Sequence, residues 1–306
     1  MTNLIEKLAQ LTRMAKSDVE HVTATAFRRY KVYTIPKRDG KGTRTIAHPA
    51  RELKALQHAL ISLRPHNLVA HKNAMAYEKG ASILKNAESH KDGVWLARFD
   101  ITNFFNSIKS QHWIDVLQAL PCDQEFRELS SKVFFWKPSG ANSTCLSVGA
   151  PSSPFASNRF MYSFDKKMTD FCVGNGLNYT RYADDMAISS SEKMDMTELE
   201  RIIVRSFPIE GVFNINRRKT RISGKAHRRA ITGLIINNEG VVSLGRSRKR
   251  QIEAMVHRYS LGRSDETPQA IRGHLSFLRM VDHAAFDRLV AKYSGRVDLF
   301  KSGNSR

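Results

Sequence analysis

The chain is short of acid. It carries 29 Asp and Glu against 49 Lys and Arg, a formal net charge of +20, and its isoelectric point lies near 10.1. Such an excess predicts a polyanionic partner. Nucleic acid fits best, with an anionic membrane surface or an acidic protein as the alternatives. Cysteine is scarce as well: Cys122, Cys145 and Cys172 are odd in number and far apart. That excludes a disulfide framework and a Cys-x-x-Cys zinc site, and it suits a reducing compartment. No stretch approaches the roughly 18 consecutive apolar residues of a membrane span. Residues 1–11 include Glu6 and no apolar core segment, so no signal peptide is expected. Internal repeats and low-complexity linkers are also missing, so any domains should pack closely.

What is present is enough for a folded core. The 306 residues are 41% hydrophobic and include 16 Phe, which argues against disorder. Length alone suggests about two domains. The basic charge is uneven. Residues 27–54 hold Arg28, Arg29, Lys31, Lys37, Arg38, Lys41, Arg44, Arg51 and Lys54. Residues 214–230 hold Arg217, Arg218, Lys219, Arg221, Lys225, Arg228 and Arg229 with no acid, and Arg246, Arg248, Lys249 and Arg250 follow. Apolar Ile215, Ile222 and Ile231 are interleaved with them, so the blocks belong to folded structure that can track phosphates rather than to a tail.

Periodicity predicts mixed α and β structure. Helices are expected over residues 2–16, over 17–28 with Ser17-Asp18 as the cap, and over 51–63, 111–120, 124–135 and 197–207. A long helix is expected over 152–173, opened by Pro151 and Pro154. Strands are expected over 31–36 and 44–48 around a turn at residues 39–42, and over 94–101. Further strands are expected over 177–181 and 186–190, and a hairpin over 230–237 and 241–244 turning at Asn238-Glu239-Gly240. Helices should follow from residue 246.

With acids so few, their placement is informative. Asp100 ends an apolar run, Val94 to Phe99, that reads as a buried strand. Asp184 and Asp185 sit at the tip of a hairpin between apolar strands. Adjacent carboxylates repel, and holding them at the end of a core strand is costly without a cation. Mg²⁺ takes oxygen ligands and keeps positions open for substrate phosphates, and a pair of such ions can serve phosphoryl transfer. The plain alternative is a turn, where Asp is common.

The flanking residues go further. Tyr182-Ala183-Asp184-Asp185 resembles the YxDD box of reverse transcriptases. Phe99-Asp100-Ile101-Thr102-Asn103-Phe104-Phe105 resembles the first catalytic motif of that palm fold, and Val148-Gly149-Ala150-Pro151-Ser152-Ser153-Pro154 resembles the motif between them. All three stand in the family's order and spacing. Asn86-Ala87-Glu88-Ser89-His90 and Ile231-Thr232-Gly233 resemble two signatures of retron reverse transcriptases, with Ile in place of the usual Val in the second. Taken singly, His90 reads as a surface or helix-end histidine and Thr-Gly as a common turn. The resemblance runs from about residue 30 to about residue 280.

The resemblance implies an α+β right-hand polymerase fold. Residues 1–95 would form fingers with N-terminal helices and 96–228 a palm carrying the YADD hairpin, with part of the fingers inserted around 111–147. Residues 229–306 would supply a primer-grip hairpin and a basic helical thumb. It implies RNA-directed DNA synthesis with Asp100, Asp184 and Asp185 holding two Mg²⁺ ions, Mn²⁺ being a substitute. The backbone at Ile101 would touch the second ion, and Asp185 is less directly coordinated in some members. Phe105 matches the sugar gate that excludes a 2′-hydroxyl; its bland reading is a core Phe, since either Phe104 or Phe105 must face inward. Gly149 and Pro151 would bring backbone close to the template–nucleotide pair, whereas Val148 replaces the usual Gln and loses its side-chain hydrogen bond. Lys219 matches a lysine proposed to protonate pyrophosphate, or else is one more phosphate-contacting lysine. Arg44, Lys79 and Arg51 would clamp the triphosphate, the family's usual arginine being absent from Gly80-Ala81-Ser82. Tyr182 would lie beneath the primer terminus, and Thr232 and Gly233 would hold the primer. Asn86 and His90 belong to the primer or RNA side, and Arg246, Arg248 and Arg250 to the thumb's grip on an RNA hairpin.

Wider implications follow from the same resemblance. The partners would be a cognate structured non-coding RNA, its branched RNA–DNA product (msDNA) primed from a guanosine 2′-hydroxyl, and dNTPs. Host RNase H would remove template, since no separate segment is left for a nuclease domain. Effector proteins would complete an antiphage system in a bacterial cytoplasm, with no membrane involved. The stretch from Tyr30 to Arg38 is closest to retrons whose effectors are an ATPase and an HNH nuclease. Two alternatives stand beside this reading. One is a reverse transcriptase of another group, such as a group II intron enzyme or another defence system; missing maturase and endonuclease segments weigh against the intron form. The other is a non-catalytic RNA-binding scaffold, against which the three carboxylates weigh.

Overall fold

Asn3 opens the first helix by accepting a hydrogen bond from Ile5 N–H. The computed structural model describes residues 3–37, 40 and 42–300. In chain order the elements are α1 (Leu4–Thr12), α2 (Lys16–Ala24), β1 (Tyr30–Pro36), β2 (Thr43–Pro49), α3 (Arg51–Ser62), α4 (Ile83–Glu88), β3 (Trp95–Asp100), α5 (Phe104–Ser107), α6 (Ser110–Gln118), α7 (Gln124–Val133), α8 (Ser152–Phe160) and α9 (Tyr162–Gly174). There follow β4 (Asn178–Tyr182), β5 (Asp185–Ser190), α10 (Met196–Ser206), β6 (Arg221–Ser223), β7 (Arg229–Ile231), β8 (Leu234–Ile236), β9 (Val242–Ser243), α11 (Gly245–Ser260), α12 (Pro268–Val281) and α13 (His283–Tyr293). The strands form a two-stranded ribbon β1-β2, a four-stranded sheet in the order β4-β5-β3-β6, and a three-stranded sheet β7-β8-β9. Among the described residues no helix is long and apolar enough to cross a membrane.

Two compact units emerge. The first comprises Met1–Ala81, Ala97–Ile188 and Met194–Arg221; the second comprises Ser82–Leu96, Ser189–Lys193 and Ile222–Arg306. This division differs from the expected three-way one, because residues 82–96 cluster with the C-terminal third rather than with the N-terminal helices. In the first unit α1, α2, α3 and α7 pack around Leu8, Val19, Leu53, Leu56, Leu60 and Val133. A chain of phenylalanine rings runs through its interior: Phe104 stacks on Phe213 at 5.6 Å, Phe213 meets Phe207 at 5.1 Å, and Phe207 stacks on Phe164 at 5.1 Å. In the second unit the apolar faces of α11, α12 and α13 enclose Ile252, Val256, Ile271, Leu275, Leu278 and Leu289. Thr267 caps α12, and Asp282 caps α13 while its other oxygen takes Lys249 at 3.0 Å.

Several local expectations change. Ser17 and Asp18 lie inside α2, whose cap position is Ala15 and has no side-chain bond. The long helix over 152–173 is two helices, broken at Met161, where ψ is 2°. The hairpin over 230–244 turns twice. Thr232 and Gly233 both have positive φ, 45° and 85°, and join β7 to β8 with Ile231 opposite Leu234, the pattern of a two-residue type I′ turn. The turn expected at 39–42 includes Asp39 and Lys41, which with Arg38 lie outside the described residues. The ribbon on either side of it pairs from Tyr30–Pro49 to Pro36–Thr43.

Candidate active site

The three carboxylates come together because a strand end meets a hairpin tip. Asp100 is the last residue of β3, and Asp185 is the first of β5, the neighbouring strand. Ile101 N–H donates to Asp184 O at 3.0 Å, which sets the two ends side by side. Asn216 N–H donates to Asp100 O at 2.7 Å and Thr102 N–H to Asn214 O at 2.9 Å, bringing in the segment that carries Lys219. Lys219 Nζ then reaches Asp100 Oδ2 at 2.8 Å. Asp100 is only 4% exposed, whereas Asp184 is half-buried and Asp185 exposed.

The electrostatics follow from this crowding. Loss of water, then the charge of Asp100, raises the Asp184 pKa; Lys219 and Arg44 pull it back. Asp185 is pushed up to about 6 by loss of water, then by Asp184 and Asp100, against the pull of Arg98 and Lys219. Loss of water pulls Lys219 down, but its bond to Asp100 and the nearby carboxylates outweigh that and hold it above its ordinary value. The ammonium therefore stays charged at neutral pH and can donate a proton. Asp184 and Asp185, each raised in part by its neighbours' charge, offer together with Asp100 the hard oxygen donors that a divalent cation takes. Among the described residues no group of three or more His, Cys, Asp or Glu side chains is placed to hold a metal ion by itself. Mg²⁺ sites of this kind are open, taking one or two carboxylates and completing the shell with substrate phosphates.

One expected result concerns pH. Because cation binding must displace the Asp185 proton, Mn²⁺ affinity measured by calorimetry should be about tenfold weaker at pH 5 than at pH 7. A flat profile would remove Asp185 from the ligand set. The raised pKa also sets the sign for stability. The carboxyl's contribution is whole below its unfolded value near 3.8 and is lost as pH rises through about 6. For so exposed a group that loss is under about 1 kcal/mol.

Around the carboxylates the chain is held by buried polar groups that sequence reasoning missed. Asp165 and Arg181 are both 0% exposed and pair at 2.6 Å. Arg181 Nε also donates to Asp165 at 2.8 Å, and Tyr179 Oη donates to the same carboxylate at 2.8 Å. The remaining side of the guanidinium donates to Ala183 O at 3.0 Å and Asn158 Oδ1 at 3.2 Å. Arg181 thus fixes the backbone of the Ala183-Asp184 turn, in which Ala183 takes φ 57°. The only sequence signal was an arginine beside the hairpin; its partner lies on α9, 16 residues earlier.

The other expected residues fall as follows. Phe104 faces the core and Phe105 is half-buried, lining a cavity of about 440 Å³ with Val148, Gly149 and Pro151. Gly149 has φ 121°, and a Cβ there would meet Ile46 Cγ2 at 3.1 Å and Ala47 O at 3.3 Å, so only glycine lets the ribbon approach. Val148 contributes backbone: its carbonyl accepts from Ala47 N–H at 2.9 Å. Arg44 is exposed on β2 and its charge bears on Asp184. Lys79 is exposed one residue beyond Glu78, and Arg51 is exposed in the first turn of α3. Tyr182 is half-buried, its ring 6.3 Å from that of Tyr77. Arg246, Arg248 and Arg250 are exposed on α11.

In the second unit the two signature motifs meet. Asn86 Nδ2 donates to Thr232 Oγ1 and Thr232 Oγ1 to Ile83 O, both at 3.5 Å. These bonds tie the β-branched Thr232, strained at positive φ, to α4. His90 Nδ1 pairs with Ser189 Oγ at 2.8 Å, and burial lowers its pKa to about 4, so it is neutral. Asn86 and His90 are each 1% exposed. The expectation that they touch primer or RNA is corrected to this extent: both side chains are enclosed by protein, Asn86 bonded to Thr232 and His90 to Ser189.

Comparison with known proteins settles the family. The model of the reverse transcriptase (RNA-dependent DNA polymerase) family matches residues 35–236. The retron Ec83 reverse transcriptase of Escherichia coli is 37% identical over 275 residues, 86% of each chain. The chain belongs to the retron reverse transcriptases. The retron Ec86 enzyme of the same organism is 32% identical over 95% of this chain and 89% of its own. Among solved structures, apo telomerase from Candida tropicalis aligns over 89% of this chain and 58% of its own at 13% identity, with a TM-score of 0.49. The family match and the two retron relatives make the protein an RNA-directed DNA polymerase with the right-hand fold of its family, and that family uses divalent metal ions.

Proposed function

We propose that this retron enzyme copies a cognate structured RNA into DNA that stays branched from it (msDNA), starting from a guanosine 2′-hydroxyl, as part of antiphage defence. The observation that carries the reading is the meeting of Asp100, Asp184, Asp185 and Lys219 at one strand end in a chain of this family. Asp100, Asp184 and Asp185, with the backbone at Ile101, would hold two Mg²⁺ ions, or Mn²⁺ in their place. When bound, such ions activate an attacking hydroxyl and neutralise charge on the departing pyrophosphate. The protein's own residues do the rest. Lys219 gives its proton to the leaving group. The ring of Phe105 fills the space a 2′-hydroxyl would need. Gly149 and Pro151 shape the wall of the nucleotide pocket, and Arg44 and Lys79 meet the triphosphate. Tyr182 supports the primer terminus and the Thr232-Gly233 turn grips it. We assign residues 1–95 to fingers, 96–228 to palm and 229–306 to primer grip and thumb.

Partners follow from this chemistry: the cognate RNA, dNTPs, a host RNase H to trim template, and effector proteins, an ATPase and an HNH nuclease, restrained by the product in a bacterial cytoplasm. The deciding experiment is to purify the protein from its host and analyse the bound nucleic acid. RNA joined to DNA through a 2′–5′ linkage is expected; linear DNA primed from a 3′ end would overturn the retron mechanism. The thumb's part is tested separately. Neutralising Arg246, Arg248 and Arg250 should weaken RNA binding and lower the slope of log K against log salt by about 2 to 3. An unchanged slope would take α11 out of the interface.

A further inference from the structure

One residue near the carboxylates holds a conformation that its side chain disfavours. Tyr77 has φ 65°, a left-handed backbone that is an outlier for a bulky residue. Such strain persists only where the surroundings over-determine it, and it collects at functional sites. Here the segment is held on both sides. Met75 N–H donates to Arg181 O at 2.7 Å and Arg181 N–H to Asn73 O at 2.9 Å. Asn158 Nδ2 donates to Ala76 O at 2.8 Å and to Glu78 Oε1 at 3.0 Å, and the Arg159 guanidinium binds both oxygens of Glu78. The clamps grip Met75, Ala76 and Glu78, yet the ring they aim is 54% exposed. An exposed ring gains little from burial, so its placement serves something other than the core.

Where the ring points is informative. It lines the same cavity as Phe105, Val148 and Gly149, together with Lys54 and His58. It also stands beside Tyr182, and loss of water followed by the charge of Asp184 raises its pKa. Lys54 and His58 are one turn apart on the exposed face of α3. A π-face next to a small cationic point is the arrangement that holds one nucleotide of a strand, base on ring and phosphate on cation. In the proposed mechanism the triphosphate would be met by ions held on the carboxylates and by Arg44. Resting on the polymerase reading above, we infer that Tyr77 is a positioning platform on which the RNA template nucleotide opposite the incoming dNTP stacks, with Lys54 and His58 taking its phosphate.

The test uses the full chain with an RNA template carrying 2-aminopurine at the templating position. In wild type and Tyr77→Phe the probe should be quenched, with kcat/KM for dNTP insertion equal within about twofold. In Tyr77→Ala it should brighten, and kcat/KM should fall about 10- to 100-fold. Tyr77→Gly relieves the positive φ, so it should melt at or above wild type while showing the same loss. A lower melting temperature for that variant would make the ring a stability element and overturn the inference. Wild-type quenching and rates in Tyr77→Ala would overturn it too. So would a rise confined to the KM for dNTP with quenching intact, which would place the ring against the incoming nucleotide. Failure of the polymerase reading is a different result: wild type itself would extend no primer.

Discussion

Replacing Asp184 and Asp185 together by Asn should abolish primer extension, a loss of at least about 10³-fold, while RNA binding stays near wild type. The magnitude follows from what the carboxylates do. In the proposed mechanism each removed charge would weaken the hold on a divalent cation, and the leaving pyrophosphate would gain charge with only Lys219 and the triphosphate's basic contacts to meet it. The substitutions keep size and remove two mutually repelling acids, so the apo protein should be at least as stable as wild type at pH 7. RNA binding is expected to survive because the exposed arginines of α11 are untouched. Primer-extension gels and filter binding on the same preparation make the check. Full synthesis by the double variant would end the assignment of the catalytic carboxylates.

The second large effect lies beneath the turn. Arg181→Met leaves Asp165 fully buried with its ion-pair partner gone, and Tyr179 alone cannot compensate a charge at 0% exposure. Breaking a buried pair in this way costs about 3–5 kcal/mol, or a melting temperature lower by about 10 °C in a chain of this size. Calorimetry reads it directly. Replacing both partners with apolar residues, Asp165→Leu with Arg181→Met, should recover much of the stability, since a buried pair can be exchanged for well-packed apolar groups at little net cost. Activity should not recover with it, because Ala183 O still lacks the donor that fixes the turn carrying Asp184. A double variant restored in both would reduce Arg181 to a stability element.

The charge imbalance, the scarcity of cysteine and the order of the three motifs were legible in the chain itself. So were the two strands flanking the YADD tip, whose apolar runs flank acids that could not be core residues. The outcome at residues 152–174 shows a limit: helical pattern is continuous across Met161, and the break there is a backbone event that no spacing announces. Thr232 shows another. Thr-Gly reads as a common turn when taken singly, but it lies inside a run that reads as one strand and a β-branched residue argues against positive φ; the bonds to Asn86 and Ile83 hold Thr232 there, and the turn forms.

The sequence by itself determined the family, the +20 charge that calls for a polyanion, and the carboxylates Asp100, Asp184 and Asp185, because these depend on residue types and local order. Only the tertiary structure decided which groups face one another. It paired Lys219 with Asp100, 119 residues away, turned Phe105 rather than Phe104 to the cavity, and buried Asn86 against Thr232 and His90 against Ser189. It also held Tyr77 in a strained backbone over an open pocket. The reason is physical: pairing, burial and strain are properties of surroundings assembled from distant segments, and the distances that govern them exist only once the chain has folded.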